Sequence, residues 1–446
     1  MKKFHIKTLG CKVNQYESEV IAQQLQSMGY EIAEPGAGDD TLDVIIVNTC
    51  SVTQKAAMQS RQATRQVIRS NPGTTIIVTG CHAQIHADEF RRIEGVDEVI
   101  AQNLKHTIPD ILAAQRPTAR NEAPFAAADK TTSNDFRPLE PSMLGTRTRP
   151  FIKIQDGCDA FCTYCIVPYS RGRSRSMPFS HVMDHVGRIK QAGYKEVVLT
   201  GIHLGCYGQD LAPSATLMEL LDKIHTTRAI ERLRLSSIEP HELSDDILEL
   251  VAQSDIRPGM ICNHFHIPLQ SGDDHVLKKM NRPYTRNDFI SLVNRIHRTV
   301  PDAAIGVDVL AGFPGETENA FKNTYDLIDG LPVTYLHVFP FSSRPGTPAA
   351  RFPDPVPTET AKQRCSTLRQ LGLQKKKTFY RQQIGKTVEI LIEGQRERTS
   401  GLLKGLTSNY IPVLVDAEDD LQNSFVTVTL SASRDMFIVG SIQANN

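Results

Sequence analysis

Short apolar runs that alternate with amphipathic helical stretches set the fold of this chain. Three such runs lie in residues 1–115: "FHIKTLGC" (4–11), "DVIIVNTC" (43–50) and "TIIVTGC" (75–81), with helical patterns at 17–29 and 53–70. Six more follow between about 148 and 350, beginning with "FIKIQ" (151–155), "EVVLTG" (196–201) and "RLRLSSIEP" (232–240), then "HFHIPLQ" (264–270), "AIGVDVLAGFPGE" (304–316) and "TYLHVFPF" (334–341). Strands separated by helices build a parallel sheet with helices packed on it. The first group predicts an N-terminal parallel α/β domain over 1–115. The second predicts a (βα)6 partial barrel over 148–378, with its chemistry at the strand C-termini. Residues 116–147 are aperiodic, carry four prolines and read as a linker or surface strap. A helix over 357–383 leads out of the barrel. Short alternating runs then predict a small antiparallel β-barrel of about five strands over 379–446.

At 446 residues the chain is long enough for two or three cores. Its 50 basic and 50 acidic side chains cancel, which excludes a chain basic throughout but not a basic face. No run approaches 18 apolar residues, and the N-terminus lacks the unbroken apolar stretch of a signal peptide. A soluble, cytoplasmic protein is expected. Nine cysteines is an odd number, and in a reducing compartment such thiols serve as metal ligands, catalytic groups or core residues more than as disulfides.

Cys11, Cys50 and Cys81 each close an apolar run, at the sheet edge where open α/β folds bind ligands. Any one of them alone reads as a buried core thiol; the repeated placement favours metal ligation. A second trio, Cys158, Cys162 and Cys165, is packed into "DGCDAFCTYCIVPYSRG" (156–172). Structural zinc closes its shell with four protein ligands, and a [4Fe–4S] cube has four iron corners. Three thiolates on a cube leave one iron open. A fourth ligand from Cys206, Cys262 or Cys365 would close the shell, but those three read better as core or bystander thiols.

The C-x3-C-x2-C run opening a βα-repeat domain resembles the signature of the radical S-adenosylmethionine (SAM) superfamily. The resemblance implies that SAM chelates the open iron and is split by an electron to a 5′-deoxyadenosyl radical. The order of parts over nearly the whole chain is similar to the methylthiotransferases. "TLGCKVNQYES", "KIQDGCDAFCTYCIVPYSRGRSRS", "LTGIHLGCYG" and "LRLSSIEP" resemble the branch acting on threonylcarbamoyladenosine in tRNA.

That resemblance implies two [4Fe–4S] clusters, an auxiliary one on Cys11, Cys50 and Cys81 and a radical-SAM one on Cys158, Cys162 and Cys165. It implies SAM as both methyl donor and radical source, and a terminal barrel of the tRNA-binding TRAM type. The expected product carries a methylthio group at C2 of N6-threonylcarbamoyladenosine at position 37, beside the anticodon. Expected partners are the tRNA anticodon stem-loop, an electron donor of flavodoxin or ferredoxin type and a sulfur source, with no membrane. The chemistry needs these parts. The C2–H bond of adenine has no leaving group and no useful acidity, so a radical cofactor must carry the hard step. Prenyladenosine tRNA, a ribosomal protein, and a non-catalytic iron–sulfur RNA-binding role are the alternatives.

Polar groups near predicted strand ends could complete a SAM site: Tyr164, Glu239, Gln270 and Asp308, with Gly312 and Gly315 letting a ligand approach the backbone. Each of the polar groups could equally cap a helix or satisfy a turn. His264 and His266 share one strand face and read as satisfied core residues. For RNA, Lys375, Lys376, Lys377, Arg381, Lys386, Arg396, Arg398 and Lys404, with Arg369, form a candidate phosphate track against Glu389, Glu393 and Glu397. A second basic group, Arg147, Arg149, Lys153, Arg171, Arg173 and Arg175, flanks the second cysteine trio against Asp156 and Asp159.

Overall fold

A computed structural model describes residues 1–34, 41–114, 147–254, 257–434 and 436–443. The expected linker lies outside them except for Arg147. The chain divides into two compact units, and the division cuts across chain order. The first takes Met1–Gly145, Gln155–Met177 and Ser342–Ala350; the second takes Thr146–Ile154, Pro178–Phe341 and Arg351–Asn446.

In the first unit, strands β1 (Lys3–Thr8), β2 (Val44–Thr49) and β3 (Thr75–Gly80) pair in parallel, edged by the two-residue strands Glu31–Ile32 and Glu98–Val99. The central strand, "VIIVNT", is buried at every position, as a strand covered on both faces must be. Its alternation sorts two cores. Val44 and Ile46 pack with Phe4, Ile21 and Leu25 on the side of helix α1 (Lys12–Ser27). Ile45 and Val47 pack with Val67, Val78 and Phe90 on the side of helix α2 (Gln54–Ser70). The hydroxyl of Thr53 starts α2 by accepting a hydrogen bond from the Ala56 amide. Neither edge strand was expected: at two residues each they are too short to leave a periodic signal.

The second unit holds the six expected core strands: β4 (Phe151–Lys153), β5 (Glu196–Thr200), β6 (Arg232–Leu235), β7 (His264–Gln270), β8 (Ala304–Ala311) and β9 (Tyr335–Pro340). They run parallel in two sheets, one extended by Met260–Ile261, with a bridge from Ser237 to His266 between them. The result is an open parallel βα array. Helix α3 (Thr358–Gln383) packs back on it, and Gly372 lets it approach closely: a Cβ there would lie 3.0 Å from the Leu336 side chain.

A closed barrel follows, β10 (Thr387–Arg396), β11 (Leu403–Thr407), β12 (Pro412–Val415), β13 (Phe425–Arg434) and β14 (Phe437–Ile442), in the order β10-β11-β12-β14-β13. It is not wholly antiparallel as expected, since β12 and β14 pair in parallel. Ile390, Ile392, Leu403, Val413, Val428 and Ile438 fill it, and Tyr380 from α3 packs into the same core. Two buried arginines of β6 seat the barrel on the array. Arg232 donates to the Leu406 carbonyl (3.0 Å), and Arg234 to those of Thr407 (3.0 Å) and Ser408 (2.9 Å). Among the described residues no helix is long and apolar enough to cross a membrane.

Candidate metal centres

Cys50 follows β2 directly, and Cys81, directly after β3, is the first residue of the short helix Cys81–Ile85. Cys11 comes three positions after the end of β1, where it opens α1 without capping it. Because β1, β2 and β3 are adjacent and in parallel register, all three thiols come to one sheet edge. Glycines make room for them. A Cβ on Gly10 would lie 2.7 Å from the Cys50 Sγ, and one on Gly80, whose φ is +100°, would lie 2.4 Å from the Thr49 carbonyl oxygen. Burial pushes the Cys50 thiol up to about 11 and raises that of Cys81 too. Free thiols held this way stay protonated and unreactive, so the pair suits a metal that deprotonates its ligands better than a nucleophile.

The second trio belongs to the same unit. Its loop follows the short strand Gln155–Asp156, which pairs with Arg175–Ser176. Gly157 lets the hairpin close: with φ at +76°, a Cβ there would fall 1.9 Å from the Arg173 carbonyl oxygen. Cys162 and Cys165 sit in one turn, the Cys165 amide donating to the Cys162 carbonyl at 2.9 Å. The donor chemistry and the two glycine-lined cradles fit an iron–sulfur centre at each trio. Tyr164 is half-buried within that turn.

A buried ionic network joins the two cysteine-bearing segments. Arg171 donates from Nη1 to Glu17 Oε1 (3.0 Å) and Asp156 Oδ1 (2.8 Å), and from Nη2 to Asn14 Oδ1 (2.6 Å). Lys105 Nζ and Gln102 Nε2 reach Glu17 from the other side, at 2.6 and 3.1 Å, and Arg175 holds the second oxygen of Asp156 at 3.0 Å. Burial works against the charge on Arg171, yet the carboxylates of Glu17 and Asp156 hold it firmly protonated. The sequence reading assigned Arg171 and Arg175 to a basic group open to RNA. In the fold Arg171 and Lys153 are buried, Arg175 pairs with Asp156, Arg149 pairs with Glu393 at 2.6 Å, and only Arg173 stays fully exposed among the group's members past Cys165. The signal was present: Asp156 and Arg171 bracket the motif in the sequence.

The remaining site candidates fall in the second unit. Glu239 forms an ion pair with the buried guanidinium of Arg282. Gln270 ends β7 at a bulge, with φ at +62°. Asp308 accepts from His266 Nε2 at 2.9 Å and lies 3.3 Å from His337 Nδ1; although burial opposes it, these histidines hold its carboxyl well below the usual range. His264 and His266 both bond the Tyr335 hydroxyl, at 2.8 and 3.1 Å. Gly312 has a packing role, since a Cβ there would lie 2.6 Å from that of Ala361 on α3, and its amide donates to Glu316. Among the described residues, two further groups gather ligand-type atoms within 4.8 Å, His266–Asp308–His337 and His203–Cys206–Glu242. His203, Glu242 and His337 were not singled out from the sequence, because no spacing rule links residues on separate strands and loops. Cys262 and Cys365 are buried core thiols.

The RNA candidates separate as well. Lys375 donates to the carbonyls of Asp329 (2.9 Å) and Leu331 (2.8 Å), Lys386 pairs with Asp302 at 2.5 Å, and Arg396 bonds Asp419 and the carbonyls of Gly401 and Ala417. Lys376 lies over the Tyr380 ring. These four are bound to the protein itself. Lys404 is half-buried, while Lys377, Arg381 and Arg398 face solvent.

A parallel βα array together with a C-x3-C-x2-C loop defines a protein of the radical-SAM class. The sequence model of the radical SAM superfamily matches residues 152–328, and that described as uncharacterized protein family UPF0004 matches residues 3–101. Threonylcarbamoyladenosine tRNA methylthiotransferase MtaB of Bacillus subtilis is 37% identical over 96% of this chain and 93% of its own length. The protein of that name from Rickettsia prowazekii is 38% identical over 92% and 91%. The tRNA-2-methylthio-N(6)-dimethylallyladenosine synthase of Pelotomaculum thermopropionicum is 32% identical over 100% and 98%. The chain belongs to the radical SAM methylthiotransferase family, in its MtaB branch. A solved structure of the radical SAM methyltransferase TsrM from Kitasatospora setae shares the fold, with a TM-score of 0.54 and 17% identity over 78% of this chain and 77% of that one.

Proposed function

We propose that this protein is a tRNA methylthiotransferase that places a methylthio group on C2 of N6-threonylcarbamoyladenosine at position 37. The observation that carries the reading is the pair of three-thiol sites gathered in one compact unit, each with three cysteines and a glycine-made cradle. Cys158, Cys162 and Cys165 would hold the cluster that binds SAM, and Cys11, Cys50 and Cys81 the auxiliary cluster. When bound, the clusters and SAM supply one-electron reduction, the hydrogen-abstracting radical, and the methylated sulfur.

The chain's own residues do the rest. The three strand ends fix the first trio, and the hairpin closed at Gly157 fixes the second. Lys377, Arg381 and Arg398 offer charge for tRNA phosphates. The domain order reads as a sulfur-carrying sheet, a SAM-binding array and an RNA-gripping barrel. A cytoplasmic location, an electron donor of flavodoxin or ferredoxin type and a separate sulfur source complete the proposal.

A second reading, the same chemistry on prenyladenosine tRNA, is favoured by the 32% identity to the dimethylallyladenosine synthase. Nucleoside analysis of tRNA from cells with and without the chain separates the two. Loss of the 2-methylthio form of threonylcarbamoyladenosine supports the first reading. Loss of the methylthiolated prenyladenosine instead would replace it.

A further inference from the structure

The network around Arg171 buries charge of both signs beside the first trio. Lys105 and Arg171 pair with Glu17, and Arg171 and Arg175 pair with Asp156. Arg171, Glu17, Asp156 and Lys105 are all buried, so water screens them little. Asn14, which accepts from Arg171, donates to the carbonyl of Thr49, the residue before Cys50. A cube bound by three thiolates carries net negative charge and would face this buried cation. Geometrically, Arg171 belongs to the second motif, on the helix Val167–Arg171 just after Cys165, but its partners Asn14 and Glu17 belong to the helix that Cys11 opens.

We infer that Arg171 is a positioning residue shared by the two metal centres: it clamps the second cysteine loop to α1 and sets the reduction potential of the cluster on Cys11, Cys50 and Cys81. The inference rests on the cluster assignment of the previous section. A buried cation near a cluster favours the reduced form, because reduction adds one electron and breaks no bond. Glu17 acts on the same centre with the opposite sign. A merely structural clamp would give no such opposition of signs.

The test is a redox titration followed by electron paramagnetic resonance on the reconstituted full-length protein, with dithionite as reductant. SAM perturbs the signal of the centre it binds, which tells the two apart. Arg171→Gln should lower the midpoint of the N-terminal centre and Glu17→Gln should raise it, each by more than it moves the other centre. Arg171→Lys, which keeps the charge, should restore most of the shift even if the clamp is weakened. Variants with wild-type iron and sulfide whose midpoints stay put, or move in the same direction, would overturn the inference. Wild-type protein that binds no iron at the first trio would overturn the cluster assignment itself, and is read from metal content before any titration.

Discussion

Arg234 and Glu196 meet inside the second unit, Nε to Oε1 at 2.7 Å, while the far side of the same guanidinium holds the barrel carbonyls of Thr407 and Ser408. Arg232 repeats the arrangement from two positions away, so Glu196 anchors two arginines that seat the barrel on the βα array. Removing one partner leaves a buried carboxylate short of charge. Arg234→Ala should therefore destabilise the protein by about 3–5 kcal/mol. Urea unfolding should show it. A loss near that of an exposed pair, below about 1 kcal/mol, would show that the anchor contributes little.

The same pair predicts an acid response. Burial pushes the Glu196 carboxyl up, but Arg232, Arg234 and Arg149 outweigh it and hold its pKa at about 2, against 4.5 for an ordinary glutamate. A carboxyl depressed in the folded state stabilises it above its unfolded pKa, and that contribution is lost as pH falls through the folded value. The stability gap between wild type and Glu196→Gln should thus be widest above about pH 5 and close as the pH approaches 2. A gap that stays constant over that window would contradict the assignment.

Much of this was legible in the sequence, for reasons particular residues make plain. "DVIIVNTC" announces a doubly covered strand because its apolar run is unbroken, and the cysteine at its end can only sit at the sheet edge. Period and punctuation are local, and so they survive in one dimension. Arg171 was misread because charge has no local period: the residue that neutralises it, Glu17, is 154 positions away. Lys375, Lys386 and Arg396 failed in the same way, each cancelled by a carbonyl or carboxylate that no spacing rule connects to it. The parallel β12–β14 pairing was hidden too, since strand direction follows from closure of the barrel and not from alternation.

Separate trios should fail separately. Cys11→Ala should lower bound iron from about eight to about four atoms per chain, leave SAM cleavage to 5′-deoxyadenosine intact and abolish methylthiolated tRNA. Cys158→Ala should lose the same amount of iron but stop SAM cleavage as well. Iron analysis with nucleoside and deoxyadenosine assays checks both. Methylthiolation by the Cys11 variant would remove the first trio from the reaction.

Gly157 offers a test of the second cradle that spares every ligand. An alanine there must both hold φ at +76° and place a Cβ 1.9 Å from the Arg173 carbonyl oxygen, so the hairpin has to open. Gly157→Ala should lose the SAM-cleaving centre while keeping the other, giving about half the iron and no deoxyadenosine. Full iron and full cleavage would mean that the loop holds its cluster without this turn.

Exposure decides the final prediction, on tRNA binding. Arg381, at the end of α3, and Arg398, between β10 and β11, face solvent, whereas the Lys375 ammonium is already bound by two carbonyls at the C-terminal end of the helix Glu318–Gly330. Phosphate contacts release counterions, so each lost contact weakens affinity and flattens its dependence on salt. The double variant Arg381→Glu, Arg398→Glu should bind tRNA more weakly, with the log–log salt slope reduced by about 1–2. Lys375→Gln should leave that slope unchanged and show its effect in thermal stability instead, because its two acceptors lose their donor. Filter binding across a salt series measures both. A slope that falls for Lys375→Gln and holds for the double variant would mean that the barrel meets RNA through a different face.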